Sequence, residues 1–487
     1  MPDRRIFAAA ILAAGAAVQA FTGAPATGPA IAPSLWLPDA DEPELHSGIV
    51  EHFKYGSIGA ESRAGVPYYI WAVLPKVFPE YLPKRPGEGY ARFGLIFEGA
   101  SAKRPIGTSL RKTQVDLVGL NCAVCHTGTL RDAPGGAARI ILGMPAHQFD
   151  LQSYQRFFFS CFKDPRFTAD RIMPAIQEKF PELSWFTRTF YSWIVIPRTQ
   201  KEGVTVSRNF AFFDSRPPSG PGRVDTFNPY KVIFGFDMQR DSSVGTADLP
   251  SLWNQRSREG MWLHWDGNNN LVTERNKSAA IGAGASEDSL DLAGMKRVED
   301  WILDLKPPGF PPERIDQKRA AAGHLLFERH CAECHALNGK RIGQTEPIEE
   351  IRTDPERLNS FTKELSDKMN TLGTGKAWKF SHFRKSNGYS SMPLDGVWLR
   401  APYLHNGSVP TLRDLLKPSE ERPAVFWRGY DFYDYEAVGF VASGPGAERE
   451  GFRFDTSARG NGRQGHDYGT RLTPAEKLDL IEYLKTL

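Results

Sequence analysis

Cysteine is scarce in this chain, tracts of like charge are missing, and only the first residues hold a long apolar run. Five of the 487 residues are cysteine. Two short motifs use four of them, which leaves too few for a four-thiolate zinc cluster. Lys and Arg total 60 against 57 for Asp and Glu, a net charge of +3. That balance, with no arginine-rich helix or basic tract, excludes nucleic acid as the expected partner. Beyond the first twenty residues no stretch is long and apolar enough to span a bilayer. Proline (36) and glycine (45), by contrast, are plentiful, so much ordered loop is expected. With 41% hydrophobic and 12% aromatic residues, the chain has material for two or three domains with real cores.

The two motifs are Cys122-Ala-Val-Cys125-His126 and Cys331-Ala-Glu-Cys334-His335. Cysteines three apart sit about one helical turn from each other and match the two vinyl groups on one haem edge. The next residue can then place its imidazole under the ring. One copy alone would suit a zinc half-site or a thioredoxin-like redox pair. Two copies, each followed by histidine, point to two covalently bound haem c groups, held by Cys122, Cys125, Cys331 and Cys334. His126 and His335 are the proximal iron ligands. Cys161, the fifth cysteine, reads as a buried free thiol.

Arg4 and Arg5 precede an apolar run from Ile6 to Val18, with small residues to Ala20. This is the pattern of a secretory signal peptide over 1–20, and the run is short for an uncleaved anchor. Covalent haem attachment takes place outside the cytoplasm, so the expected location is a bacterial periplasm. Residues 21–43, rich in Ala, Pro and Gly, read as a disordered linker.

The expected fold is mainly α, with two class I cytochrome c-like haem domains, the first carrying a large loop-rich insertion. Arg319 to His330 reads as a helix entering Cys331, and Thr473-Pro474-Ala475-Glu476 opens a closing helix. Asp300-Trp301-Ile302-Leu303-Asp304-Leu305 repeats the pattern of Glu482-Tyr483-Leu484-Lys485-Thr486-Leu487, as a duplicated closing helix would. A Pro-rich stretch from Lys306 to Pro312 then reads as an interdomain linker. The expected divisions are an N-terminal wrapping (44–100), a first cytochrome domain (101–309) and a second (310–487). The first holds Phe157 to Phe159, Trp185-Phe186, Phe210 to Phe213, Trp253, Trp262 and Trp265. Most of these rings read as core, but an insertion of that size also suits a substrate pocket or docking surface.

For the sixth ligand of the second haem the candidates, in order, are His466, His405 and Met392. His466 lies in a glycine-rich loop seven residues before Thr473, the place from which class I cytochromes supply a distal ligand. For the first haem, Met144, His147 and an open site are all expected possibilities. Asp266-Gly267-Asn268-Asn269-Asn270 starts like a calcium loop but has Leu271 and Lys277 where glycine and glutamate are needed. A solvated turn is the expectation there, with calcium the alternative.

Arg400-Ala401-Pro402-Tyr403-Leu404-His405-Asn406-Gly407-Ser408-Val409-Pro410-Thr411-Leu412 resembles a segment of the dihaem cytochrome c peroxidase superfamily. The form is closest to its rubber-oxygenase-like branch, as is Gly220-Pro221-Gly222-Arg223-Val224-Asp225. The resemblance implies that the N-terminal haem meets peroxide or dioxygen and the C-terminal haem relays electrons. It covers 150–300 poorly, and polymer cleavage is not carried over. Arg223, Asp225 and Phe234, with Phe227, are then the candidate catalytic residues, although an Arg–Asp salt bridge or a propionate contact would explain Arg223 equally. The expected partners are a periplasmic electron donor or acceptor and a small oxidant or organic substrate. An electron-transfer subunit without catalysis is the competing reading.

Overall fold

Two helix pairs frame the chain in the computed structural model, which describes residues 43–487. The expected signal peptide (1–20) and the expected linker up to residue 42 lie outside the described residues. In the C-terminal pair, Gln317–His330 packs along Pro474–Leu484. Asp316 caps the first helix, accepting from the backbone N–H of Lys318 and Arg319, both at 3.0 Å. Thr473 and Glu476 close a reciprocal capping box on the second. Ala320, Gly323, Leu326 and Phe327 meet Leu480, Ile481 and Leu484. Gly323 is required, because a Cβ there would collide with the backbone oxygen of Asp479. The rings of Phe327 and Tyr483 lie 5.0 Å apart.

The other pair joins Pro43–Tyr55 to Leu292–Leu303, with Asp291 capping the latter through Gly294 N at 2.9 Å. Here Phe53 meets Trp301 at 5.2 Å. Trp301 and Tyr483 hold matching places in the repeat seen in the sequence, so each pair carries the same aromatic contact. The difference lies in the lead-in. Gln317–His330 runs straight into Cys331, whereas Pro43–Tyr55, within the expected wrapping, reaches Cys122 through a long excursion. Asn121 Nδ2 donates to Gly56 O at 2.9 Å and ties the end of that helix back to the motif.

A single hydrophobic core joins residues of both halves: Phe53, Ala123, Met144, Trp253 and Ile302 with Leu326, Ala332, Trp398 and Leu480. Cys122 and Cys331 both pack on it. The Pro-rich stretch after Leu305 is built into this core as well. Its Phe310 is buried between Trp398 (5.2 Å) and Tyr435 (5.5 Å). A second core lies under the aromatic insertion. In Leu151–Lys163, Tyr154, Phe157, Phe158 and Cys161 recur at helical spacing and pack on Trp71, Tyr90 and Phe93 of the 44–100 segment. This core reaches the first motif at Val124 and Cys125.

The strands are short. A three-stranded sheet of Val66–Pro67, Leu117–Leu120 and Thr108–Arg111 leads into Cys122, and Thr127–Leu130 pairs with Arg139–Leu142 directly after His126. Two loops 140 residues apart share one backbone path. Leu263 bridges Asn269 as Tyr403 bridges Val409. His264 and Leu404 have φ of 63° and 69°, Gly267 and Gly407 have 58° and 61°, and each loop opens a helix, at Val272 and Leu412.

Candidate haem-binding sites

Each CxxCH histidine is oriented by a backbone carbonyl. His126 Nδ1 lies 2.8 Å from Pro250 O, and His335 Nδ1 lies 2.8 Å from Met392 O. A proton on Nδ1 donated to that carbonyl leaves Nε2 as the free, basic nitrogen that a metal takes. Burial lowers the pKa of both rings, to about 4 for His126, so both are neutral at ordinary pH. All five cysteines are free. Burial raises the thiol of Cys122 to about 11 and those of Cys125 and Cys331 to about 12, the reverse of a thioredoxin-like pair, which needs a lowered pKa. Among the described residues no cluster of three or more His, Cys, Asp or Glu could hold a bare metal ion.

His466 faces His335. Their ring centres are 6.2 Å apart with the planes at 46°. Two imidazoles bonded at about 2 Å to opposite sides of one iron would have ring centres roughly 6.3 Å apart. His466 Nδ1 is buried without a hydrogen-bond partner, and burial followed by the proximity of His335 lowers its pKa to about 4. The left-handed backbone at His466 (φ 51°), next to Gly465 (φ 76°), turns the ring inward. The residues present therefore fit a haem between these two histidines. Met392 is engaged on the proximal side through its carbonyl. His405 stacks on Tyr389 at 3.9 Å and 18°, and burial, then Arg357 and Arg223, push its pKa well below the usual value.

His126 has no second histidine stacked or facing it among the described residues. His147 is committed elsewhere: its Nε2 lies 2.9 Å from Thr129 O and its ring stacks on Phe440 at 3.7 Å. Met144 is fully buried on the chain that doubles back from the motif, where Gly143 N bonds His126 O and Ala146 N bonds Cys125 O. Its Sδ lies beside Gly128, two residues after the motif. Arg275, half-buried and lowered to about 10 by desolvation, is the charged group that acts on both Cys122 and His126.

The Asp266–Asn270 run is not a solvated turn. Asp266, Asn268 and Asn269 are fully buried and satisfied within the protein. Asp266 pairs with Arg357 at 3.2 Å, Asn268 Nδ2 donates to Asp266 Oδ2, and Asn269 Nδ2 donates to Glu274 Oε2. Burial behind an arginine also takes the leading carboxylate from any calcium ion.

Arg223 is buried and donates to Asn461 Oδ1 at 2.8 Å and to the carbonyls of Ser219 and Gly460. Asp225 forms no salt bridge with it; it accepts from Phe227 N, Asn228 N and Asn228 Nδ2 and starts the helix Asn228–Ile233. Phe227 and Phe234 belong to a third core with Phe361, Leu365 and Phe380, which includes neither motif. These residues fasten the insertion to the second half.

Trp253 reads in the sequence only as one of the insertion's rings, with nothing to place it between the two halves. It is fully buried, donates from Nε1 to Leu142 O at 3.0 Å, and lies against a glycine of each half. A Cβ on Gly143 would lie 2.7 Å from its Nε1, and one on Gly396 would lie 2.9 Å from its Cε3. Beside it Asp395 joins Arg258 (2.9 Å) to Arg400 (2.9 Å). Pro250, the acceptor for His126, and Met392, the acceptor for His335, each stand three residues before a member of this junction.

Residues 388–428 match the family described as RoxA-like, cytochrome c-like. The match takes in Met392, Asp395, Arg400 and His405, and this RoxA-like segment implies haem c binding by a c-type cytochrome. The chain is also similar to two proteins of Sinorhizobium fredii (strain NBRC 101917 / NGR234). It is 26% identical to uncharacterized protein y4iJ over 500 residues, covering 82% of this chain and 81% of that one. It is 32% identical to uncharacterized protein y4iM over 285 residues, covering 49% of this chain and 64% of that one.

Proposed function

We propose that the chain is an exported, periplasmic dihaem c-type cytochrome that reduces peroxide or activates dioxygen at its first haem site and relays electrons through its second. The asymmetry of the two sites carries this reading: the ring of His466 stands 6.2 Å from that of His335, and among the described residues no histidine ring stacks on or faces His126. Haem at the first site would supply the iron at which a small oxidant is reduced. The protein's part is to fix His126 through Pro250, keep both proximal rings neutral, and join the two sites through the buried Trp253 junction. No helix among the described residues is long and apolar enough to cross a membrane. A periplasmic electron donor and a small oxidant or organic substrate are the partners this reading requires.

Carbon monoxide titration of half-reduced and fully reduced protein tests it. One haem of two should bind carbon monoxide, and the same haem should react with peroxide. If both remain low-spin and inert in every redox state, the chain is an electron-transfer subunit without catalysis of its own.

A further inference from the structure

Large apolar side chains are seldom left in water as a group, yet residues 185–194 leave four. Trp185 is 78% exposed, Phe186 71%, Trp193 79% and Ile194 51%. They lie on one continuous helical run, Trp185–Phe190, a π-helical turn at Tyr191–Val195, then Ile196–Asn209. The other side of the run is anchored: Tyr191, Val195 and Ile196 are buried in the second core. Adjacent residues on a helix point about 100° apart. Exposure of both Trp185 and Phe186, and of both Trp193 and Ile194, therefore means that a wide face protrudes.

The π-helical turn sharpens this. In a regular α-helix Trp193 would point roughly 80° away from Trp185. A π turn rotates the chain less per residue, so Trp193 returns closer to the line of Trp185. The rings thus form a ridge. Over 181–209 the basic residues Arg188, Arg198, Lys201 and Arg208 outnumber the acidic Glu182 and Glu202, although Arg198 is paired with Glu202 at 2.7 Å.

We infer that this ridge seats the protein on the surface of an anionic lipid bilayer. Tryptophan and phenylalanine on a protruding helix, beside a cationic surplus, are what the headgroup region accepts: indoles at the level of the headgroups and basic side chains against lipid phosphate. The ridge is distant in sequence from both CxxCH motifs, so the inference stands apart from the catalytic reading.

Flotation of the purified holoprotein with vesicles tests it, using phosphatidylcholine alone and phosphatidylcholine mixed with phosphatidylglycerol. Binding should favour the anionic vesicles and weaken as salt is raised, with a blue shift in tryptophan emission. Changing Trp185, Phe186 and Trp193 to serine should lower vesicle affinity by more than about tenfold while the haem spectra stay unchanged. All three side chains are largely solvent-exposed, so the variant should fold. Absence of vesicle binding by the unaltered protein, or equal binding by the variant, overturns the proposal. A concentration-dependent dimer in sedimentation equilibrium, lost in the variant, would assign the ridge to a second copy and overturn it equally.

Discussion

Histidines of identical chemistry do three different jobs here, and their surroundings sort them. His126 and His335 give one nitrogen to a carbonyl and keep the other free, His466 stands across from His335, and His147 is engaged with Thr129 O and Phe440. His466→Ala should convert one haem from low-spin to high-spin, read in the electronic and electron paramagnetic resonance spectra. His405→Ala should leave that ligation in place and shift only the potential or stability; the reverse result would make His405 the ligand. His147 yields a pH prediction. Burial holds its pKa at about 3 in the folded protein against an ordinary 6.5. Its contribution to stability is therefore complete above about 6.5, is lost progressively as pH falls toward 3, and changes no further below. Urea midpoints between pH 7 and 4 should fall less steeply in His147→Gln than in the unaltered protein.

Among the elements, those built from local signals were legible in the sequence. Thr473, Pro474 and Glu476 mark a helix start, and the closing helix begins at Pro474 with its box formed. The helix read from Arg319 begins two residues earlier, at Gln317, because Asp316 is the cap. Long-range partners were not legible. Nothing local in Pro43–Tyr55 announces that Phe53 will meet Trp301, since the two are brought together only when the whole first half closes. Arg223 is conspicuous in the sequence for its charge, but two of its three acceptors sit on the loop at 460–461, contributed by the other half. The Asp266 run looked soluble because its composition is polar; only the fold supplies Arg357 and Glu274 to satisfy it. Two substitutions compare a local with a long-range contribution. Thr473→Ala should cost about 1 kcal/mol through the lost cap. Gly323→Ala should cost more, because its new Cβ meets the Asp479 backbone, which cannot rotate away as a side chain would. Thermal unfolding of the two variants measures the order.

At the scale of the whole molecule the two halves share a core, but under the proposed dihaem reading each CxxCH motif would attach its haem in a separate chemical event. Replacing Cys331 and Cys334 with alanine should leave one covalent haem by pyridine haemochrome assay, and replacing Cys122 and Cys125 should do the same. Two haems in either variant would remove the attachment assignment. Because Cys122 and Cys331 pack on the same core, either variant should also unfold at lower temperature as a single transition, without a stable half remaining.

The seat of Trp253 bears on the whole chain as well as on local packing. The paired aromatic contacts and the two loops 140 residues apart give the two halves matching local geometry. Trp253 breaks that match, because its ring rests on a glycine from each half and fills a space that neither would enclose alone. A chain cut near residue 310 would strip one wall from that space and open the apolar interior on both sides. Neither half could therefore be released or grafted elsewhere without rebuilding the surface that Trp253 now covers.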